Sequence, residues 1–430
     1  MRHDMVSVID KAKYLVRTGF AHVMVGNTLI MAIGFLSSIC IVRLISKESY
    51  GLLCHADNMY QYVLLFSGLG MSTALLKFCS TGTDPQKAKS LLVFSLKYGV
   101  LIQLFLTALM VFYATVVSRT FPKANYLIYS SILYPASFYV VTTLQSYLRS
   151  QQENKLYARI ALAQSTLVFV LSVLLALVLD AAGVVLARYL GLAAAVGLGL
   201  RYVVRRLGSV TLCKVSLTTR KAFVGMSVAM MLTNMFSSVI ATNEMFLVNH
   251  LIHDAAITAT YRVAVLIPGQ LLVIAGSVVV YVFPLVAGLS CDKSRALSIV
   301  LRTGAATFVA VAICAAVGRV VSPLLIRIVY GVQYENAIPL SNAFWFVHGL
   351  NAGVRMIPLN LLPAIGEAKF CAYMSVITCA VHFVLDYVFI KSIGIEGVAY
   401  AAGLVYFCSG GCYWLYTIYS CKKGTARGCG

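Results

Sequence analysis

Apolar residues dominate long stretches of this chain, and most charged residues fall in the short gaps between them. Twelve such stretches can be marked, near residues 20–45, 51–78, 90–117, 125–148, 157–179 and 182–204, then 222–250, 258–288, 296–318, 337–363, 369–391 and 395–420. Each is long enough to be a membrane-spanning helix, which needs roughly 20 mostly apolar residues. Several are longer, which implies tilt or extension beyond the hydrocarbon. Within them apolar residues come in runs, as across 167–171 and 173–179, and do not alternate with polar ones as barrel strands do. Backbone groups in lipid must be satisfied internally, so the pattern predicts an all-α integral membrane protein.

The second half of the pattern repeats the first. A shift of 214 positions brings Leu148 onto Leu362, Glu153 onto Glu367 and Lys155 onto Lys369 without a gap. It also brings Phe169-Val170-Leu171 onto Phe383-Val384-Leu385 and Gly183-Val184 onto Gly397-Val398. Six spans per half is an even number, so both halves enter the bilayer in the same sense. The expected architecture is two six-helix bundles, residues 1–204 and 222–430, related by a pseudo-two-fold axis along the membrane normal. A basic cytoplasmic connector, 205–221, joins them. Transporters built from parallel repeats have this layout, with cargo bound between the halves.

Composition agrees with the pattern. The chain is 60% apolar and 11% charged, against about 25% charged in soluble domains. Its net charge of +20 invites a nucleic-acid reading, but the basic residues are distributed as orientation signals. With the N-terminus in the cytoplasm, inside segments hold 24 Lys/Arg and outside segments eight, with Arg188 and Arg355 inside spans. That bias predicts cytoplasmic termini and makes an acidic polymer unnecessary as a partner. The charged start leads into a span too long for a cleavable signal. The twelve cysteines lie mostly inside spans, with no Cys-x-x-Cys and no Cys/His spacing for a metal, so they read as reduced packing residues.

No enzyme signature appears. There is no phosphate loop ending in Lys-Ser/Thr, no His-Glu-x-x-His and no Gly-x-Ser-x-Gly. No cofactor is expected, and energy must come from a proton or Na+ gradient, the membrane potential or the cargo's own gradient. What remains are polar residues at membrane depth, which are costly and mark function or pairing. Asn27, Gly34 and Ser38 share a face of the first span; Asp57, Gln61, Gly68 and Ser72 share one on the second; Thr233, Ser237 and Glu244 share one on the seventh. Such stripes suit a cavity wall or a helix contact. Among the cations, Arg43 and Arg262 lie near outer ends, where they can snorkel. Arg188 sits about one turn inside the sixth span. Arg355 is deep in the tenth, roughly nine residues or about 13 Å of helix from its inner end. Arg355 reads as a phosphate or carboxylate ligand or as the partner of a buried acid, for which Glu244 and Asp386 are the candidates. Pro268-Gly269, Pro358 and Pro363 mark breaks or hinges.

The run Arg43-Leu-Ile-Ser-Lys-Glu-Ser-Tyr-Gly51 resembles the Arg-Leu-x-x-x-Glu-x-Tyr-Gly signature of polysaccharide-transporter flippases. Asn27, the stretch Gly68-Leu-Gly-Met-Ser-Thr-Ala-Leu-Leu-Lys77 and the turn Ala364-Ile-Gly-Glu-Ala-Lys369 are similar to that family's pattern. The wider superfamily includes multidrug antiporters and lipid II flippases. The antiporters typically carry an acid in the first helix, and residues 20–45 contain none; the lipid II flippases typically have fourteen spans. The resemblance therefore implies a flippase of the cytoplasmic (inner) membrane. Its cargo would be a polyprenyl-diphosphate-linked oligosaccharide, an O-antigen, capsule or exopolysaccharide repeat unit. A glycan polymerase and other assembly proteins are implied as partners besides membrane lipids. Arg355, Arg188, Arg43 and Arg262 would meet the diphosphate, and Asn27, Asp57, Gln61 and Ser237 the sugar. Glu244 and Asp386 would serve a coupling ion.

Overall fold

Capped starts and broken turns divide the chain into helices. The computed structural model describes residues 20–79, 84–287, 289 and 292–426, and no strand occurs among them. Two compact units are formed, Met1–Ser238 and Val239–Gly430. The first holds α1 (Phe20–Leu44), α2 (Lys47–Leu65), α3 (Met71–Phe78), α4 (Pro85–Phe112), α5 (Asn125–Ser130), α6 (Tyr134–Ser150) and α7 (Asn154–Leu207). The unit boundary falls within α8 (Leu217–Ile252). The second holds α9 (Ala255–Leu266), α10 (Leu271–Ala287), α11 (Lys293–Val329), α12 (Ile338–Leu350), α13 (Met356–Leu361), α14 (Ala368–Ile393) and α15 (Glu396–Ala426).

Several of the chain's few acids are spent on helix starts. Asp84 Oδ1 accepts from the Gln86 amide at 3.1 Å. Asp254 Oδ1 accepts from Ala256 and Ile257 at 2.7 and 3.1 Å, and Asp292 Oδ1 from Arg295 at 3.0 Å. Ser46 caps α2 in the same way. Each satisfies a donor that the first helical turn leaves open. Along the bodies of the helices large apolar side chains face outward: Val178 is 79% exposed, Val320 80% and Tyr281 76%. Lipid, not water, is the solvent that tolerates such surfaces. Eight helical stretches among the described residues are long and apolar enough to cross a membrane, and Thr28–Leu44 is a shorter apolar one. The chain is thus a multi-pass membrane protein, and each of the twelve expected stretches falls on helical segments.

One of the eight, Asn154–Leu207, cannot be straight. Its 54 residues would reach about 80 Å at 1.5 Å per residue, far beyond a hydrocarbon core of about 30 Å. It folds back at Asp180, whose φ of 52° and ψ of −137° leave helical space. The expected division between 179 and 182 is therefore where the chain turns.

The 214-residue repeat is visible in this turn. Gly394, the counterpart of Asp180, has φ 76° and ψ −151°. A Cβ on Gly183 would stand 2.2 Å from the Leu175 carbonyl oxygen, and one on Gly397 would stand 2.4 Å from that of Phe389. Leu175 and Phe389 are again counterparts. Both turns thus bring a helix backbone against a bare glycine. The preceding turn repeats as well: Gln152 (φ 60°) corresponds to Gly366 (φ 91°). The Glu153 amide donates to Leu148 O at 3.0 Å, and that of Glu367 to Leu362 O at 3.1 Å. Tyr202 Oη donates to Glu153 at 3.0 Å, and its counterpart Tyr416 to Glu367 at 2.9 Å.

The second span departs from the expected continuous helix. Gly68, Leu69 and Gly70 take φ values of 51°, 50° and 76°, so the helix stops and restarts as α3. Gly68 and Ser72 consequently do not continue the face of Asp57 and Gln61. Gln103 of α4, fully buried, repairs the gap. Its Nε2 donates to Val63 O at 3.2 Å and its Oε1 accepts from the Gly68 amide at 3.1 Å. Tyr139 covers the break: a Cβ on Gly68 would lie 2.0 Å from its ring. We expect Gln103→Leu to cost about 1–3 kcal/mol, the penalty for stranding buried polar groups, measured as a lowered thermal midpoint. In the second unit the break expected at Pro268-Gly269 is present as a turn of 3-10 helix, Pro268–Gln270. The tenth span is interrupted by a wide turn at Asn351–Arg355 and a tight one at Leu362–Ile365.

The connector is anchored within the first unit. Lys89 Nζ donates to Leu207 O at 2.8 Å and Val210 O at 2.5 Å, and the Cys213 amide donates to Ser90 Oγ at 3.0 Å. Phe223, at the start of α8, is fully buried with Leu75, Leu91 and Tyr147.

Candidate functional site

A cavity of about 490 Å³ lies in the first unit, between α1, α6 and the two arms of α7. Small residues of α1, Gly34, Ser37 and Ser38, make one wall. Thr142 and Gln145 of α6 and Gln164, Ser165 and Ser172 of α7 supply hydroxyls and carboxamides, while Tyr134, Phe138 and Tyr157 supply aromatic faces. Gln145 Nε2 reaches Gln164 Oε1 at 3.5 Å. Gly34 and Ser38 belong to the stripe read on the first span. The carboxamides and aromatic faces were not singled out in the sequence, although Gln145 and Gln164 are the kind of intramembrane polar residue that signals a site.

Arg188 is the one charged residue of the lining. It reaches Asp57 with both terminal nitrogens, Nη1 to Oδ1 at 2.5 Å and Nη2 to Oδ2 at 2.8 Å. The two side chains keep 24% and 38% of their exposure. The guanidinium also stands 5.9 Å from the centre of the Tyr134 ring. A two-pronged pair of this kind fixes the guanidinium plane as well as its charge. Asp57 and Arg188, named separately in the sequence as sugar and diphosphate ligands, are thus partners in one ion pair.

The second unit holds a buried polar cluster instead. Glu244 of α8 accepts from Tyr261 Oη at 2.9 Å and from Tyr406 Oη at 3.3 Å. His382 Nε2 lies 3.5 Å from Glu244 Oε1, and its Nδ1 lies 3.4 Å from Asp386 Oδ2. Asp386 is fully buried, and neither of its oxygens completes a hydrogen bond. Arg355 is buried as well, donates to Asn351 Oδ1 at 3.3 Å and lies 5.3 Å from the centre of the Tyr406 ring. Thus Glu244, Asp386 and Arg355, singled out separately in the sequence, come together around His382, a lone histidine that the sequence alone presents as a packing residue, and around Tyr261 and Tyr406.

Cavity and cluster occupy corresponding places in the repeat. The cavity-lining residues Val168, Ser172 and Leu192 correspond, 214 positions on, to His382, Asp386 and Tyr406. At these positions the first unit carries apolar and hydroxyl side chains and the second carries ionisable ones. Elsewhere Arg43, Arg262 and Gln61 are exposed, and the side chains of Asn27 and Ser237 lie outside the described residues. Among the described residues no group of three or more His, Cys, Asp or Glu could hold a metal ion.

Comparison with known proteins bears on the family and the fold. Residues 16–290 match the family model described as polysaccharide biosynthesis protein. No curated protein matches the chain in sequence. Its fold is similar to the inward-facing conformation of a multidrug resistance MATE family transporter of the MOP superfamily, at 13% identity and TM-score 0.75, over 94% of this chain and 99% of that one. It is similar also to the lipid II flippase MurJ in an inward closed conformation, at 15% identity and TM-score 0.70, over 92% and 87%. An outward-facing MATE family transporter shares 15% identity at TM-score 0.62, over 96% of each chain. At these identities the likeness establishes the fold.

Proposed function

The chain belongs to the polysaccharide biosynthesis protein family, and we propose that it is a flippase. Its cargo is a polyprenyl-diphosphate-linked oligosaccharide, an O-antigen, capsule or exopolysaccharide repeat unit. It crosses the cytoplasmic (inner) membrane by alternating access of two six-helix halves, with both termini in the cytoplasm and a glycan polymerase receiving the product. The observation that carries this reading is the cavity of the first unit. Its hydroxyls and carboxamides match a sugar, and its aromatic faces match the apolar faces of sugar rings. Arg188 offers a guanidinium for a phosphate oxygen at its wall. The cavity volume lies within the range of about 300–1,000 Å³ typical of small-ligand sites.

A cation-coupled multidrug antiporter is the second reading, favoured by the buried acids Glu244 and Asp386 and by the fold shared with MATE transporters. Residues 20–45 contain no acid, so a cationic drug would find no carboxylate on α1, and Asp57 is already paired with Arg188. Export of the glycan in cells separates the readings. At equal protein level, Arg188→Ala is expected to reduce export about 10- to 100-fold, the worth of a charge-assisted bond of 1.5–3 kcal/mol. Unchanged export would remove Arg188 from cargo binding.

A further inference from the structure

We infer that the Glu244–His382–Asp386 chain in the second unit is a proton site, and that the ion driving this transporter is a proton and not sodium. That the proton drives transport rests on the proposed function; the proton site itself does not.

Charge balance in the cluster calls for a proton. Two carboxylates and one guanidinium share the cluster, since Tyr406 both donates to Glu244 and stacks beneath Arg355. With both acids ionised and His382 neutral, one negative charge is left over among side chains that are 8% exposed or less. An uncompensated charge at that depth costs several kcal/mol. One proton, shared along the imidazole and its two carboxylates, cancels it. His348, the other buried imidazole nearby, stacks on Phe344 at 5.6 Å, and neither of its nitrogens has a hydrogen-bond partner. It brings no compensating charge as a neutral ring.

The geometry of the cluster suits a proton better than sodium. Sodium, like other hard cations, needs several oxygens converging on one point. Here an imidazole stands between the carboxylates, one nitrogen facing each, at 3.5 and 3.4 Å. That arrangement keeps oxygens apart and provides a path from one acid to the other through the ring. Arg355 adds a positive charge beside the cluster, which favours a shared proton over a metal cation. Asp386 has neither oxygen hydrogen-bonded, so a proton on it meets no competing donor. The proton reaches the cluster from one side of the membrane and leaves to the other as Glu244 on α8 and the pair on α14 change access. No bond other than N–H or O–H forms or breaks.

The test uses the whole protein in lipid and reads the carbonyl stretch of protonated carboxylic acids by infrared difference spectroscopy at neutral pH. We expect a band that shifts in D2O, persists when Na+ replaces K+, and is lost in Asp386→Asn or Glu244→Gln. A band absent from the wild type, displaced by Na+, or retained in both variants would overturn the site. Both substitutions preserve shape, and the only two tryptophans of the chain, Trp345 and Trp414, lie in the second unit and report its folding by fluorescence. If a variant unfolds, His382→Gln serves instead, with the band's titration midpoint expected to move by about one pH unit or more and an unmoved midpoint counting against the chain. In proteoliposomes a pH gradient is expected to drive the lipid-linked oligosaccharide and a sodium gradient to leave it unmoved. Transport driven by sodium alone would overturn the inference. A protonated band without movement under either gradient would instead reject the cargo and leave the proton site standing.

Discussion

Gly183→Ala and Gly397→Ala are expected to leave little folded protein in the membrane. Both glycines follow a fold-back turn and face the backbone of the helix just before it. The added Cβ would lie 2.2 Å from Leu175 O in one case and 2.4 Å from Phe389 O in the other. A flexible side chain could yield to that approach, but a helical carbonyl held in its own ladder cannot. The two arms would have to separate and surrender their contact, at a cost near the upper end of overpacking penalties, about 3 kcal/mol. Gly197, Gly225 and Gly411 have nothing within 4 Å of an added Cβ, and alanine there should be neutral or slightly stabilising. Expression level and thermal midpoint of the purified variants measure the contrast. Equal stability of both sets would mean that the arms are not packed as described.

Arg188 and Asp57 carry the second large effect. Replacing either alone breaks a two-pronged pair at a cavity wall and leaves one charge without its partner. For fully buried pairs that loss is about 3–5 kcal/mol; with 24% and 38% of their exposure retained, these two fall below it. Asp57→Ala and Arg188→Ala are thus expected to lower the thermal midpoint, and the exchange Asp57→Arg with Arg188→Asp to recover most of it. Transport should not follow stability. The exchanged pair restores the charges but moves the guanidinium to α2 and puts a carboxylate on the cavity wall, where a phosphate would be repelled. Folded but inactive exchanged protein would assign Arg188 a role in cargo binding, whereas recovery of transport with stability would make the pair purely structural.

Much of the scaffold was readable from the chain because lipid makes simple demands. Continuous apolar runs gave the helices, the pair Gly183 and Gly397 marked two equivalent turns, and Glu153 with Glu367 marked the turns before them. The break at Gly68–Gly70 was hidden, since it depends on Gln103, which lies 35 positions away and whose carboxamide replaces two lost backbone bonds. The Asp57–Arg188 pair spans 131 positions, so each residue read alone looked like a free ligand. Glu244, Arg355 and Asp386 were visible as intramembrane charges, but only the fold puts His382 between the acids. The same shift that aligns the scaffold places His382 and Asp386 opposite Val168 and Ser172, so the two units diverge at the positions proposed for the proton and the cargo.

Handling of a diphosphate-linked glycan by the first unit's cavity is the proposal on which the transport reading depends. Its most direct test is movement of a fluorescently labelled polyprenyl-diphosphate oligosaccharide between leaflets of proteoliposomes containing the purified protein, beside a cationic dye as the competing cargo. Movement of the lipid-linked glycan is expected, with a reduction of about 10- to 100-fold in Arg188→Ala at equal protein content and no movement of the dye. Dye export with no glycan movement would contradict the proposal.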